Sequence, residues 1–327
     1  MKFFIAGLGS MGKRRIRNLQ ALGYQDITGY DIRDDRNKET EDIYHIKILH
    51  DYNDIRFNDF DAIIVSVPPD AHNTYLKQAV LYKRPVFVEA SVILSGLAKI
   101  NTAAKKNNVL IAPSCTLKFH PAIKIIKEIV QSKDYGKMTN FVYHSGQYLP
   151  DWHPWEQVTE YYVSKKETGG GREIVPFELT WIVDILGFPK RITGFYGKTM
   201  DIGVEIDDTY AISLEFQEIY GLLLVDVVSR YATRRLTMNF EKAQLVWKWD
   251  EQCVRIYDSD KETWSEKHYR KGKSYEGYNS NIIEEMYTEE IQAFINAIKG
   301  TGVFSNSLDE DIKVLKQLYK MEKEVVP

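Results

Sequence analysis

Three glycines with the spacing Gly7-x-Gly9-x-x-Gly12 come directly after the apolar segment 2–6. In this pattern Gly7 permits a tight turn, Gly9 lets the backbone approach a pyrophosphate, and Gly12 lets a helix pack closely on a strand. The N-terminus of the following helix supplies amide donors and a positive dipole. The spacing therefore predicts a dinucleotide site made by the whole turn: Gly7, Leu8, Gly9, Ser10, Met11 and Gly12.

An acidic residue ends the second predicted strand. Asp31 lies 19 residues (31 − 12) after Gly12, where a carboxylate can accept hydrogen bonds from both hydroxyls of a ribose. Its charge would repel a 2′-phosphate and favours NAD, whereas the nearby Arg33 would also suit NADP. We therefore expect NAD as the cofactor, with NADP as the alternative, and both residues in its adenosine site.

Residues that follow the later strands of the first third of the chain should border the other end of the cofactor. Ligands of open parallel sheets lie at the carboxyl ends of the strands. The segments 61–67 and 85–88 are two such apolar strands. The candidate residues at the nicotinamide end are Ser66, Val67, Pro68, His72, Glu89 and Ala90.

The elements that must position these residues alternate between strand and helix. Apolar strands are predicted at 2–6, 26–31, 61–67, 85–88 and 109–112, with amphipathic helices between them. Continuous apolar strands separated by helices indicate a parallel sheet that is covered on both faces. The first domain, residues 1–118, is thus predicted to be α/β with a doubly wound parallel sheet.

The pattern changes after about residue 118. Helices are predicted at 121–132 and 177–186, with an aromatic loop between them. Strands with period-two alternation follow at 210–216, 236–240 and 245–249, and the last helices are predicted at 282–299 and 308–324. Residues 119–327 are therefore predicted to form an α+β domain with an open, mostly antiparallel sheet, whose last helix could pack on the first domain.

Composition limits the class of protein. The 327 residues are 44% hydrophobic and 27% charged, with a net charge of −3, which is ordinary for a globular protein and gives no basic footprint for nucleic acid. No apolar stretch is long enough to span a membrane, and no export signal is evident at the start. The two cysteines, Cys115 and Cys253, form no metal-binding spacing. We expect a cytoplasmic protein without a metal.

Further motifs resemble one family of oxidoreductases. They are Ser66-Val67-Pro68-Pro69 followed by His72, Val88-Glu89, residues 117–121, residues 148–155, Glu167-Thr168-Gly169-Gly170-Gly171, and residues 287–300. Together with the glycine turn they are similar to the glucose-fructose oxidoreductase, inositol dehydrogenase and rhizopine-catabolism (Gfo/Idh/MocA) family. The resemblance implies a Rossmann domain, an oligomerising second domain, and NAD(P)-dependent oxidation or reduction of a sugar or polyol carbon. Within the family, residues 148–155 look most like members that act on bacterial surface sugars.

The chain departs from the family pattern at the catalytic positions. Members usually have Glu-Lys-Pro where this chain has Glu89-Ala90-Ser91, so the lysine credited with proton transfer is absent. An Asp and a His are also missing after the triple glycine, where Phe177 stands at the histidine position. The candidates for the proton transfer are Glu178, Lys118 and Glu173. Because Pro176 suits the first turn of a helix, Glu178 is expected to lie in that turn as well.

The substrate candidates combine aromatic rings with polar groups. Rings present flat apolar faces to sugar C–H groups, and polar neighbours bind hydroxyls. The candidates are His120, Trp152, His153, Trp155, Tyr162 and Arg172. For each of them a structural role is the alternative: core packing for the rings, a helix cap for His120, and an internal ion pair for Arg172.

The leading hypothesis is an NAD(P)-dependent oxidoreductase that transfers hydride to or from a carbon of a sugar, sugar acid or nucleotide sugar in surface-carbohydrate biosynthesis. A redox-neutral epimerase that retains NAD and a non-catalytic nucleotide-binding protein remain alternatives, because the lysine and the histidine are absent. The predicted strands of the second sheet have apolar residues at every second position, so only one face of the sheet is expected to be buried. We expect a homodimer or homotetramer to form through the other, open face.

Overall fold

The computed structural model describes residues 1–153, 156–270, 272 and 283–323. Trp155, a predicted substrate residue, lies outside the described residues. The chain divides into two compact units: residues 1–116 with 287–313, and residues 117–286 with 314–327. The predicted domain boundary between residues 118 and 119 stays a prediction. No helix among the described residues has both the length and the apolar character needed to span a membrane.

The helices and strands are numbered in chain order. The helices are α1 Ser10–Ala21, α2 Asp34–Tyr44, α3 His72–Leu81, α4 Leu97–Asn107, α5 Pro121–Ser132, α6 Gly171–Leu186, α7 Glu284–Ile298 and α8 Leu308–Lys323. The strands are β1 Phe3–Ala6, β2 Ile27–Tyr30, β3 Lys47–Ile48, β4 Ala62–Val65, β5 Val86–Val88, β6 Ile111–Pro113, β7 Met138–Tyr148, β8 Arg191–Gly197, β9 Thr209–Glu215, β10 Tyr220–Asp226, β11 Val228–Phe240, β12 Ala243–Lys248, β13 Cys253–Asp258 and β14 Thr263–His268.

The first unit contains the predicted parallel sheet. Its six strands have the order β3-β2-β1-β4-β5-β6, and each neighbouring pair is parallel. All four residues of β1 and all four of β4 are fully buried, as expected for strands covered on both faces. This order places the topological switch point between β1 and β4, where such sheets bind ligands. The predicted Rossmann fold is confirmed.

The second unit contains a sheet with the order β14-β13-β12-β11-β7-β10-β9-β8. Every pair is antiparallel except β7 with β10, which confirms the predicted open, mostly antiparallel sheet. The row Ile212, Leu223, Tyr143, Leu236 and Trp247 runs across the buried inner face. The opposite, outer face exposes apolar side chains, including Val142 and Leu222.

Two features of this unit differ from the sequence prediction. Helix α6 begins at Gly171 rather than near residue 177, because Gly170 takes a positive φ of 66° that ends the preceding loop. Pro176 therefore lies inside the helix and not in its first turn. Strand β7, part of which was predicted to be loop, lies in the middle of the sheet between β11 and β10.

Candidate functional site

The glycine turn joins the end of β1 to the start of α1 in the first unit. Gly7 has a φ of 90°, and a Cβ atom there would lie 2.6 Å from the carbonyl carbon of Ser66. A Cβ atom at Gly12 would lie 1.8 Å from the carbonyl oxygen of Gly7. Side chains are thus excluded from both positions. Helix α1 starts at Ser10, directly after the turn, so the positive end of its dipole and the N–H groups of its first turn lie at the turn, as anion binding at this end requires.

Asp31 follows β2 and is held against this turn. Its Oδ2 accepts a hydrogen bond of 2.7 Å from the backbone N–H of Leu8, and its Oδ1 accepts one of 2.9 Å from the N–H of Arg33. The Asn37 amide holds the backbone of Asp31 through two bonds of 2.9 Å. The carboxylate therefore has a fixed position beside the predicted pyrophosphate site, and each of its oxygens keeps a further lone pair for a ribose hydroxyl.

The sequence reasoning missed one guanidinium group that lies near the Asp31 carboxylate. Arg36 Nη1 lies 3.9 Å from Asp31 Oδ2, and a Cβ atom at Gly9 would lie 3.1 Å from Arg36 Nη1. The guanidinium of the predicted Arg33 instead pairs with Asp35, and both side chains are about half exposed or more. The sequence could have indicated Arg36, because this residue comes three positions after Arg33 and lies in the first turn of α2.

The residues after β4 form a tight connection beside Gly7. The N–H of Ser66 donates to Ala6 O at 2.7 Å, and His72 Nε2 lies 2.8 Å from the carbonyl oxygen of Val67. Burial lowers the pKa of His72 to about 4, so its ring is neutral at pH 7 and Nε2 carries the proton donated to Val67. Pro68 follows Val67 directly and precedes a single 3-10 turn. His72 thus positions the segment that was predicted to border the nicotinamide.

A buried ion network lies behind the turn. Arg15 of α1 is fully buried and donates to Glu89 Oε1 at 2.6 Å, Glu89 Oε2 at 2.9 Å and Glu290 Oε2 at 2.9 Å. Burial lowers the pKa of Arg15, but Glu89 and Glu290 outweigh it and raise the net value. Burial raises the pKa of Glu290.

This Arg15 network connects several elements of the first unit. Glu290 of α7 also accepts hydrogen bonds from the segment after β6, at Ser114 Oγ, Cys115 N and Thr116 Oγ1. Glu89, directly after β5, receives a weak contact of 3.4 Å from Ser66 Oγ. The network therefore fixes Glu89 at the carboxyl end of the sheet, next to Ala90. Sequence reasoning did not pair Arg15 with Glu290, because 275 residues separate them.

In the second unit, Glu173 combines burial with a single described hydrogen bond. Tyr162 OH donates to Glu173 Oε1 at 2.6 Å. Glu173 Oε2 is buried and has no hydrogen-bond partner among the residues that the structure describes. Burial raises the pKa of Glu173 to about 7, against the lowering effect of the Tyr162 bond. A carboxyl group with a pKa near 7 can both accept and donate a proton at neutral pH.

Aromatic side chains surround this part of the unit. Trp152, Tyr161, Tyr162 and Ile174 pack against a buried cluster that includes Leu149, Val163, Val204, Ile206 and Val227. The ring of His153 lies 4.8 Å from that of Tyr161. Trp152 Nε1 is buried without a hydrogen-bond partner in the described part of the chain. The region thus holds a buried acceptor, Glu173 Oε2, and a buried donor, Trp152 Nε1, of the kinds that a substrate hydroxyl could satisfy.

Glu178 lies deeper in the second unit. It is fully buried and accepts hydrogen bonds from Tyr143 OH at 2.9 Å, Ser145 Oγ at 2.7 Å and Trp181 Nε1 at 2.9 Å. Arg234 Nε lies 3.3 Å from its Oε1. The expectation that Glu178 occupies the first helical turn is wrong, since α6 begins seven positions earlier (178 − 171). These contacts are those of a carboxylate that joins α6 to β7 and β11.

The other predicted residues of this unit also have internal partners. Lys118 Nζ lies 3.3 Å from Asp184 Oδ1. His120 Nδ1 accepts from the N–H of Ala122 and caps α5, while its ring packs against Trp247; burial lowers the pKa of His120 to about 3.

Arg172 joins α6 to α8. It forms two hydrogen bonds with Glu322, of 2.6 and 3.0 Å, and lies over the ring of Tyr319. Lys118, Glu173 and Glu178 thus have separate sets of partners, and the catalytic and substrate roles of all these residues stay predictions.

Removing the Tyr162 hydroxyl should raise the pKa of Glu173. The hydroxyl donates to the ionised carboxylate, so Tyr162→Phe should shift the value upward from about 7 by about 1. A 13C NMR titration of protein labelled at glutamate side chains measures this shift. Tyr161→Phe, next in the chain, is the control and should leave the titration unchanged; an unshifted pKa in Tyr162→Phe would contradict the assignment.

Comparison with known proteins agrees with this geometry. Residues 1–114 match the family model GFO_IDH_MocA, described as an oxidoreductase family with an NAD-binding Rossmann fold. An uncharacterized oxidoreductase of Bacillus subtilis strain 168, YrbE, is 30% identical over 137 residues. The matched segment spans only 40% of this chain and 40% of that relative.

Solved structures share the fold over nearly the whole chain. An oxidoreductase from Agrobacterium radiobacter, crystallised with NAD+, L-tartaric acid and magnesium, has a TM-score of 0.85 at 13% identity and covers 99% of this chain and 96% of its own. Levoglucosan dehydrogenase in complex with NADH has a TM-score of 0.83 at 12% identity over the same shares. Residues 1–114 are therefore similar to the NAD-binding Rossmann domain of the Gfo/Idh/MocA oxidoreductases, and the chain shares the fold of these solved structures.

Proposed function

We propose that the protein is an NAD-dependent oxidoreductase that transfers hydride to or from a CH–OH carbon of a sugar or sugar acid. The observation that carries the cofactor assignment is the fixed Asp31 carboxylate beside a turn whose glycines exclude side chains. When bound there, NAD supplies the hydride acceptor or donor. A surface-carbohydrate pathway and a cytoplasmic location remain predictions from the sequence.

We assign the proton transfer to Glu173. In the oxidising direction its ionised carboxylate takes the proton of the substrate hydroxyl, and in the reducing direction the protonated form returns it. The Tyr162 bond orients Oε1 and leaves Oε2 for the substrate. Lys118 and Glu178, which were also predicted as catalytic, have contacts that suit positioning: Lys118 with Asp184, and Glu178 within a fully buried cluster.

A sugar is the substrate class that the second unit favours. The Trp152 and Tyr162 rings offer apolar faces for C–H groups, and Trp152 Nε1 and Glu173 Oε2 offer a donor and an acceptor for hydroxyls. One of the structural neighbours is a levoglucosan dehydrogenase, which has a sugar-derived substrate in its name. A panel of sugars and polyols, assayed with NAD by NADH absorbance, tests the class. Epimerised product without net NADH would instead support the redox-neutral alternative.

Replacing Asp31 should change the cofactor preference. Asp31→Ala removes the acceptor for the ribose hydroxyls and leaves Arg36 next to the same position. We expect NAD affinity to fall about tenfold or more, because a lost hydrogen bond to a charged group costs about 1.5 to 3 kcal/mol, while NADP affinity falls less. Calorimetry with both nucleotides measures the two losses. Asp35→Ala, which removes only the exposed partner of Arg33, should leave both affinities unchanged; equal losses in Asp31→Ala would contradict the assignment.

Glu173→Gln should abolish most of the proton transfer. We expect turnover to fall on the order of 100-fold or more, with NAD affinity kept. In the wild type, kcat/KM for oxidation should rise with pH through about 7, since the base must be ionised, and the reducing direction should fall over the same range. Glu160→Gln, at an exposed carboxyl two residues before Tyr162, is the matched control. A pH profile that is the same in Glu173→Gln and the wild type would contradict the role.

We also propose that two copies associate through the outer face of the second sheet. Val142, Leu222 and Phe195 are 52%, 53% and 73% exposed on that face, and Val142 and Leu222 are directly paired. Light scattering should give at least twice the 38.0 kDa of one chain, and Leu222→Glu should reduce it to one. Val303→Glu, at a residue 92% exposed in the first unit, is the control. A 38.0 kDa particle in the wild type would contradict the proposal.

A further inference from the structure

We propose that Cys253, Glu266 and His268 form a binding site for a zinc ion on the hairpin β13–β14, at the β14 edge of the second sheet as the structure describes it. The three residues lie on the hairpin of β13 and β14, and none of them is assigned above to cofactor, substrate or proton transfer. One ligand atom from each, a thiol sulfur, a carboxylate oxygen and an imidazole nitrogen, lies within 4.8 Å of the other two.

The register of the hairpin brings these ligands to one face. Cys253 pairs directly with His268, and Arg255 pairs with Glu266. Residues two apart on a strand point to the same side, so Glu266 and His268 share a face with Cys253. Val254 and Ile256 alternate with Cys253 along β13 and are buried on the inner face of the sheet. Cys253, Glu266 and His268 therefore lie on the outer face. The site therefore follows from strand pairing and not from a mobile arrangement of long side chains.

The distances suit a compact ion. His268 Nε2 lies 3.0 Å from Glu266 Oε2. Zinc bonds of about 2.0 to 2.3 Å to nitrogen, oxygen and sulfur place neighbouring ligand atoms roughly 3 to 4 Å apart. The side chains of His268 and Glu266 are 69% and 45% exposed, so rotation about their side-chain bonds can close the remaining distance. Cys253 is only 4% exposed and supplies a fixed ligand.

The donor set favours zinc over the other common ions. Calcium and magnesium prefer sites made only of oxygen ligands, whereas a thiolate with an imidazole is typical of zinc. Three protein ligands leave a fourth position for water. Arg255 Nε lies 3.6 Å from Glu266 Oε1 and competes for that carboxylate, but it is the other oxygen, Oε2, that faces His268.

Binding must release a proton. A cysteine thiol is ordinarily protonated at neutral pH. Zinc coordination replaces the S–H bond with a Zn–S bond and sends one proton to solvent, with no change in oxidation state. The affinity should therefore increase with pH.

The location indicates what the ion would do. All six residues of β14 are exposed, and β14 is the edge strand of the described sheet, paired with β13 alone. Edge strands with one partner open readily and can pair with other chains. An ion held by Cys253 on one strand and by His268 and Glu266 on the other would fasten this edge. The sequence reasoning found no metal spacing because 13 residues (266 − 253) separate the two parts of the site.

Cobalt provides a direct test, because a cobalt–thiolate bond has a charge-transfer absorption. The full chain, without a polyhistidine tag and freed of metal with a chelator, should bind one Co²⁺ with this band, and Zn²⁺ should displace it. Cys253→Ser should lose the band, whereas Cys115→Ser, at the other of the two cysteines, should keep it. Absence of the band in the wild type, or its persistence in Cys253→Ser, would overturn the proposal.

Two further measurements separate coordination from a fold defect. His268→Ala alters a side chain that is 69% exposed, and should weaken Zn²⁺ binding by about tenfold or more in calorimetry while the circular dichroism stays unchanged. Hydrogen exchange of the β14 amides should slow on addition of Zn²⁺ in the wild type and not in His268→Ala. Equal zinc affinity and exchange in the two proteins would overturn the site.

Discussion

The close approach of backbone to backbone at Gly7 and Gly12 is the constraint on which the rest of the first unit depends. A Cβ atom at Gly12 would lie 1.8 Å from Gly7 O, so α1 can begin directly against β1 only with glycine there. That proximity directs the first-turn amides of α1 toward the switch point between β1 and β4. It also brings Leu8 N–H to the Asp31 carboxylate. One steric condition therefore determines the positions of both the predicted phosphate site and the predicted ribose site.

The buried charged groups of the two units differ in how completely they are paired. The Arg15 network pairs every charge it buries, which makes it a rigid support beneath the carboxyl ends of β5 and β6. The Glu178 cluster does the same between α6 and the second sheet. Glu173 differs, because one of its oxygens is buried without a described partner and its pKa rises to about 7. Fully paired buried groups suit scaffolds, whereas an incompletely paired one is suited to proton transfer.

The sequence is sufficient to predict those parts of the fold that short-range residue patterns determine. The apolar strands β1 and β4, the glycine turn and the one-sided alternation of β9 and β12 were all recognised from their residues. Strand β7 is not evident from the sequence because its exposed outer position Val142 is apolar and its buried inner position Ser145 is polar, so the apolar period is weak although the strand lies mid-sheet. The start of α6 was misplaced because Pro176 was interpreted as a first-turn residue.

Local patterns cannot predict partners that are far apart in the sequence, such as Arg15 with Glu290 and Arg172 with Glu322.

A crystal structure with NAD bound tests most directly whether the Gly7–Gly12 turn and Asp31 hold a dinucleotide. We expect the pyrophosphate oxygens within about 3 Å of the turn's amide nitrogens, and the adenosine ribose hydroxyls within about 3 Å of the Asp31 carboxylate. A dinucleotide bound with its pyrophosphate away from this turn would contradict this expectation.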